Sequence, residues 1–242
     1  MRILLIIPAY NEEENILNTC NSIKDYNLKN NNGIEYVVIN DGSVDRTLKI
    51  LQDNNINHVN LIKNLGIGGA VQTGYKYAYE NGYDIAVQFD GDGQHNVNYV
   101  TKICQPIIDG QADMVIGTRY LDKKESEFQS TFMRRLGSSI ISFFIRLFCG
   151  KKITDPTSGF RAANKSVIKK FAFEYPAEYP EPESTVELLV NKYKITEIPV
   201  SMNERIGGVS SIRFTKTIDY MVKVVLAIII DSISFRRKWR KE

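Results

Sequence analysis

Ala86-Val87-Gln88-Phe89-Asp90-Gly91-Asp92-Gly93-Gln94-His95 passes abruptly from a short buried-strand pattern to two carboxylates one residue apart. Like charges so close are costly unless a cation neutralises them. Oxygen-only ligands of this kind suit the hard cations Mg²⁺ or Mn²⁺. The flanking Gly91 and Gly93 would let the backbone approach a bulky anion closely. An EF-hand loop starting at Asp90 would need glycine at its sixth position and glutamate at its twelfth, where the chain has His95 and Thr101. That reading fails; a plain acidic turn remains the alternative for the motif taken alone.

Outward from this run, strands and helices alternate. Arg2–Ile7, Glu35–Asn40, Val59–Ile62, Asp84–Phe89 and Asp113–Thr118 are short, β-branched and bounded by Gly, Asn or Asp, which predicts strands. Glu12–Tyr26, Val44–Asp53, Gly68–Glu80 and Asn96–Asp109 fit helices by length and period. This order predicts an α/β fold with a mostly parallel, twisted sheet flanked by helices. Ligands then gather at the carboxyl ends of the strands. Pro8-Ala9-Tyr10-Asn11, Asn40-Asp41-Gly42-Ser43 and Asp90-Gly91-Asp92-Gly93 all fall there. Ser43 also suits a plain turn and helix cap. Lys63-Asn64-Leu65-Gly66-Ile67-Gly68-Gly69-Ala70 lacks the third glycine of a dinucleotide fingerprint, having Val71 in its place. A glycine-rich approach to a helix N-terminus still suits a diphosphate.

The second half reads differently. Residues 122–131 are polar and read as a mobile loop, and Leu136–Cys149 carries Leu136, Ile140, Phe143, Phe144, Leu147 and Phe148 on a helical stripe flanked by Arg134, Arg135, Lys151 and Lys152. Glu178–Glu183 alternates acids with prolines as a rigid turn before an expected helix Ser184–Tyr193. Ile195–Val200 reads as another strand, followed by a loop at Gly207-Gly208. The apolar helix Thr217–Phe235 contains Asp219, Lys223 and Asp231, and its longest uncharged stretch, Val224–Ile230, is 7 residues. Spanning a bilayer takes roughly 20. An amphipathic helix in the membrane interface is expected instead, with core packing or a homo-oligomer contact as the alternative.

The 242 residues carry a net charge of +3, yet Arg236 to Glu242 hold five bases and one acid, so the rest of the chain sums to −1. A nearly neutral body excludes the spread basic face of a nucleic-acid binder. The basic tail, with Trp239, suits an anionic membrane surface. Three scattered cysteines, Cys20, Cys104 and Cys149, argue against a disulfide framework and for a reducing compartment. The expected location is cytoplasmic and peripheral to the inner face of the cell membrane.

Taken in order, Pro8-Ala9-Tyr10-Asn11-Glu12, Asn40-Asp41-Gly42-Ser43 with Asp45 and Thr47, Asn64-Leu65-Gly66-Ile67-Gly68-Gly69-Ala70 and Asp90-Gly91-Asp92-Gly93-Gln94 resemble family 2 glycosyltransferases of GT-A fold. The branch that includes dolichol- and polyprenyl-phosphate sugar synthases is the most similar, and Thr118-Arg119-Tyr120 and Asp155–Arg161 match it too. The resemblance covers residues 1–215 as a catalytic domain and leaves 216–242 as an amphipathic helix and tail. It implies that Pro8, Tyr10, Glu12, Asp41, Gly69, Asp90 and Gly91 line the site for a nucleotide-diphosphate sugar, UDP by preference. It implies a metal on Asp90 and Asp92 with Gln94, and an acceptor phosphate on Arg119 and Arg135, with Arg161 near the reacting centre.

The reaction expected from the resemblance is inverting. A sugar hydroxyl as acceptor would need a general base, for which Asp155 and Glu183 are the candidates. A phosphate monoester is largely ionised at neutral pH and needs cations instead. Polyprenyl phosphate is the preferred acceptor, and a hydroxyl of a lipid-linked or cell-surface glycan the alternative. A non-catalytic nucleotide-binding scaffold would tolerate loss of Asp90 and Asp92, which are both present. With no spanning helix, a small membrane-protein partner is a further expectation.

Overall fold

The computed structural model describes residues 1–121, 132–203, 221–230 and 232. The expected loops at 122–131 and Gly207-Gly208, the basic tail and both ends of the Thr217–Phe235 helix lie outside the described residues. The first half runs β1 (Ile3–Ala9), α1 (Ile16–Asn30), β2 (Glu35–Asn40), α2 (Thr47–Asp53), β3 (His58–Asn60), α3 (Gly66–Glu80) and β4 (Ile85–Gln88). A short 3₁₀ turn leads into α4 (Val100–Ile108). Then follow β5 (Met114–Thr118), α5 (Phe132–Cys149), β6 (Arg161–Asn164), α6 (Lys165–Phe173), α7 (Pro180–Val190) and β7 (Ile195–Pro199).

The seven strands form one sheet in the order β3-β2-β1-β4-β6-β5-β7. β6 runs antiparallel to both its neighbours, and the other pairings are parallel. The sheet is therefore α/β and mostly parallel, as expected. From β1 the chain moves outward through β2 and β3, then returns to place β4 on the other side of β1. That reversal opens a crevice beyond the carboxyl ends of β1 and β4.

Alternation along β1 sorts its side chains between two cores. Leu4 and Ile6 face a layer built with Ala70, Val71, Tyr75, Val167, Phe171 and Val186. Leu5 and Ile7 face Ile16, Cys20, Ile23, Val100 and Ile103. At Gly74 an added Cβ would lie 2.1 Å from Cγ2 of Ile6, so the glycine lets α3 rest directly on β1.

Two elements depart from the sequence reading. No element is expected over 161–173, where the structure has β6 and α6. β6 is four residues long and opens on a buried arginine, which hides it from a hydrophobic pattern. The expected rigid turn at 178–183 is instead the start of α7, with Pro180 at its N-terminus and Glu181 and Glu183 in its first turn. Proline fits there because the first helical amides have no intrahelical acceptor.

Candidate active site

Three loops meet at the mouth of the crevice. The loops after β1 and β2 are stitched together by side chains that satisfy each other's backbone. Asn11 N donates to Ser43 Oγ at 3.0 Å and Val44 N to Asn11 Oδ1 at 2.9 Å. Glu12 N donates to Thr47 Oγ1 at 2.9 Å, Glu13 N to Asp45 Oδ2 at 3.2 Å and Arg46 N to Glu13 Oε2 at 2.9 Å. This mutual capping explains why the two polar motifs occur as a pair. Within it Pro8 is buried, Tyr10 is exposed, and the Glu12 carboxylate accepts from Asn15 Nδ2 at 2.9 Å.

Asp41, also buried, reaches to the third loop and accepts from the backbone of Leu65 at 2.7 Å. Gly42 takes a φ of 66°, and a Cβ there would lie 2.7 Å from the backbone N of Asn64. α3 then opens at Gly66 with Gly68 and Gly69 in its first turn and no side-chain cap from Leu65. Its first amides suit an anion.

The acid pair leaves β4 on a tight turn. A Cβ at Gly91 would lie 3.0 Å from the carbonyl oxygen of Pro8, so this turn lies against the end of β1. Gly93 has a φ of 78°. Asp92 Oδ1 accepts from Gln94 N at 3.0 Å, and the Gln94 carbonyl accepts from Asn203 N at 2.9 Å. The Asp90 carboxylate is 34% exposed at the crevice mouth.

Behind it lies His95, which the sequence reading gives no role. The Asp90 amide donates to His95 Nδ1 at 2.9 Å, so the ring proton belongs on Nε2, which faces Asp90 Oδ2 at 3.3 Å. The imidazole stacks on Phe160 with centroids 4.7 Å apart. Burial pushes its pKa down to about 4; Asp92 pulls the other way and Arg119 adds to the depression. His95 is a neutral brace for Asp90.

These residues fit a hard divalent cation. Asp90 and Asp92 offer oxygen only, and both nitrogens of His95 are engaged. Among the described residues no cluster of three or more His, Cys, Asp or Glu forms a metal site. A cation on the pair would take its remaining ligands from phosphate oxygens, water or a side chain such as Gln94.

On the other side, Arg119 follows β5 and meets Asp155. Nε donates to Oδ2 at 2.7 Å and Nη2 to Oδ1 at 2.8 Å, and the Arg119 amide adds a bond to Oδ2 at 3.2 Å. Burial works against the guanidinium charge, but the Asp155 bonds outweigh it and hold its pKa above the usual arginine value. Asp155 is itself fixed by β7: Glu197 accepts from Asp155 N at 3.0 Å and from Thr154 Oγ1 at 2.7 Å. Ser138 Oγ of α5 donates to the Thr154 carbonyl at 3.4 Å. Arg135, exposed, stands three residues before it on the same helix.

Arg161, expected near the reacting centre, is instead 1% exposed within the protein. Its guanidinium donates to the carbonyls of Pro156, Ser158 and Glu181 and to the hydroxyls of Ser184 and Thr185. It fastens α7 to the loop that carries Asp155. Glu183 is half-buried in the first turn of α7.

The chain matches glycosyl transferase family 2 over residues 4–171. It belongs to that family. This glycosyltransferase is 39% identical over 217 residues to a UDP-N-acetylglucosamine–dolichyl-phosphate N-acetylglucosaminyltransferase from Methanococcus voltae, covering 82% of this chain and 84% of the relative. It is 27% identical to a polyprenol monophosphomannose synthase of Mycolicibacterium smegmatis, over 92% and 85% of the two chains. Among solved structures it resembles glucosyl-3-phosphoglycerate synthase of Mycobacterium tuberculosis, in a complex with Mn²⁺, UDP and glucosyl-3-phosphoglycerate. The TM-score is 0.67 at 18% identity, covering 96% of this chain and 79% of that one, and the shared architecture is the GT-A fold.

This family 2 enzyme also exposes an apolar surface on the helix that carries Arg135. On α5, Leu136, Ile140, Phe143 and Leu147 are exposed while Ile141 and Ile145 are buried. The helical segment 221–230 repeats the arrangement with Val222, Leu226 and Ile230 outside and Val224 and Ile228 inside. The two helices approach at Gly137, where a Cβ would lie 3.1 Å from Sδ of Met221. No helix among the described residues is long and apolar enough to cross a membrane.

Proposed function

We propose that this glycosyltransferase moves a sugar, with inversion, from a nucleotide diphosphate to a polyprenyl phosphate presented at a membrane surface. The observation that carries the choice of acceptor is the Arg119–Asp155 pair. Asp155, one of two candidate bases, has both oxygens on Arg119 and holds that guanidinium in place instead. A phosphate acceptor needs such a cation and no base. The names of the Methanococcus and Mycolicibacterium relatives, with their dolichyl and polyprenol acceptors, support this reading. The name of the Methanococcus relative supports UDP as the nucleotide, with N-acetylglucosamine the first sugar to test.

In this reading Tyr10, Glu12 and Asp41 line the nucleoside pocket, next to Pro8 and Gly91, and the amides of α3 at Gly69 face the diphosphate. Asp90 and Asp92, with Gln94, hold Mg²⁺ or Mn²⁺, consistent with the Mn²⁺ and UDP in the Mycobacterium neighbour. The cation, when bound, offsets negative charge on the departing nucleotide. His95 keeps the Asp90 carboxylate aimed into the crevice. Arg119, oriented by Asp155 and Glu197, and Arg135 on α5 bind the acceptor phosphate and hold its oxygen for attack. Arg161 keeps these loops in register. The exposed stripes of α5 and 221–230 rest in the membrane interface, with the basic tail on anionic lipid, on the cytoplasmic side. Residues 1–215 form the catalytic domain and 216–242 the membrane-facing end, where a small membrane-protein partner or a second copy would also bind.

The test is a panel of nucleotide sugars incubated with polyprenyl phosphate and Mn²⁺ or Mg²⁺, scored as label extracted into organic solvent. Metal-dependent lipid product with a UDP-sugar is expected. Absence of lipid product with every donor would overturn the acceptor assignment.

A further inference from the structure

Ala86, Gln88 and Asp90 follow one another at two-residue spacing along β4 and its exit, so they share the sheet face that α3, α6 and α7 cover. Gln88 is a polar intrusion there. It is 1% exposed, its Nε2 reaches Glu181 Oε1 at 3.4 Å, and its Oε1 is buried without a hydrogen-bond partner. A buried amide is costly to leave incompletely bonded. Gly159 closes the corner: a Cβ on it would lie 3.0 Å from Gln88 Nε2 and 3.4 Å from both Asp90 oxygens.

Glu181 is held in this corner by its backbone. Its carbonyl accepts from Arg161 Nη1 at 2.8 Å and from Thr185 Oγ1 at 2.8 Å. Its side chain is partly buried, and apart from its own backbone amide the carboxylate's described partner is the long Gln88 contact. Burial raises its pKa, Arg161 lowers it, and Asp90 is near enough to add to the rise. The segment that leads into α7 also touches the start of α3. A Cβ at Gly68 would lie 2.6 Å from the carbonyl oxygens of Pro176 and Ala177. Glu181 therefore stands where the diphosphate end of the crevice meets the acid pair.

We propose that the Glu181 carboxylate accepts a hydrogen bond from a hydroxyl of the transferred sugar and so contributes to the choice of donor. The proposal rests on the donor reading above. Three chemical groups would occupy this end of the site: the diphosphate, the acceptor phosphate and the sugar ring. Both phosphates are anions, which the Glu181 carboxylate, assigned to no metal, would repel. The sugar is neutral and carries hydroxyl donors for a carboxylate that has lone pairs left to accept them. Gln88 and Arg161 position Glu181 and touch no ligand themselves.

The experiment is calorimetric binding, with Mn²⁺ present, of UDP and of UDP-N-acetylglucosamine to the wild type, Glu181→Gln and Glu181→Ala. If the wild type prefers another UDP-sugar from the panel, that donor replaces UDP-N-acetylglucosamine. The variants are expected to bind UDP as the wild type does. They should bind the UDP-sugar about 10-fold (Gln) to 100-fold (Ala) more weakly, the size of one hydrogen bond to a charged group. The ratio of kcat/KM between UDP-glucose and UDP-galactose should shift in the same variants. Equal loss of UDP and UDP-sugar affinity, or no loss of either, would overturn the role of Glu181 alone. A wild type that binds no nucleotide sugar would overturn the donor reading, before any variant is compared. Glu181→Gln preserves the shape of the side chain, so a folding defect confined to Glu181→Ala leaves the test intact.

Discussion

The guanidinium of Arg119 and the carboxylate of Asp155 face each other through two bonds of 2.7 and 2.8 Å, across a sequence separation of 36 residues. Asp155 is fully buried and the Arg119 side chain is 17% exposed. Removing one member leaves the other charge uncompensated, so Asp155→Ala should lower stability by about 3–5 kcal/mol. The double variant Arg119→Met with Asp155→Leu should recover much of that in urea denaturation yet transfer no sugar. A double variant as unstable as the single one would show that the pair's charge balance is not what matters.

Asp92→Asn keeps an oxygen for the Gln94 amide, and the turn should survive. Turnover should fall at least about 100-fold, the scale on which charge stabilisation contributes to catalysis, with an unchanged melting temperature. Chelation of the wild type should have the same effect and be reversed by Mn²⁺. An Asp92→Asn enzyme of normal activity would refute the metal assignment.

Gly42→Ala should damage the nucleotide side. The left-handed backbone alone costs about 1–2 kcal/mol, and the new Cβ would meet backbone atoms of Lys63 and Asn64 at 2.7 Å. Relief requires moving the loop that Asp41 holds through Leu65. Both thermal stability and UDP affinity should drop, and retention of UDP affinity would separate Gly42 from the binding loop.

On α5, Phe143 and Leu147 are each 61% exposed. Burying an apolar side chain of this size is worth about 1.5–3 kcal/mol. Phe143→Glu or Leu147→Glu should thus cut co-sedimentation with anionic phospholipid vesicles about 10- to 100-fold, while turnover of a short, water-soluble polyprenyl phosphate stays at the wild-type level. Unaltered sedimentation would point to another use of this surface.

The parallel half of the sheet and the acid pair are legible in sequence because each signal is local. A β-branched run, a glycine turn and two carboxylates lie within ten residues, from Ala86 to His95. Asp155 illustrates the opposite case. Its place beside Arg119 depends on β5, β7 and the 154–155 turn meeting in space, and sequence alone leaves it a candidate base. Arg161 reads as a free cation until β6 and α7 close over it. His95 could have been noticed, since a histidine five residues after Asp90 can return to that residue's own amide. Glu181 could not: the prolines around it suggest a turn, and only the helix they initiate brings it to Gln88.

β6 is a late arrival at the centre of the sheet. It is wedged between β4 and β5, though its residues are synthesised more than forty positions after β5. Once β1 to β4 have left the ribosome, all the strands of a parallel quartet are present, with the loops that follow β1, β2 and β4. β5 must wait, unpaired, for Arg161–Asn164 before it can join that quartet. The emerging polypeptide thus passes through an interval in which β1 to β4 can close while β5 still offers an open edge, the stage at which a chaperone has most to protect.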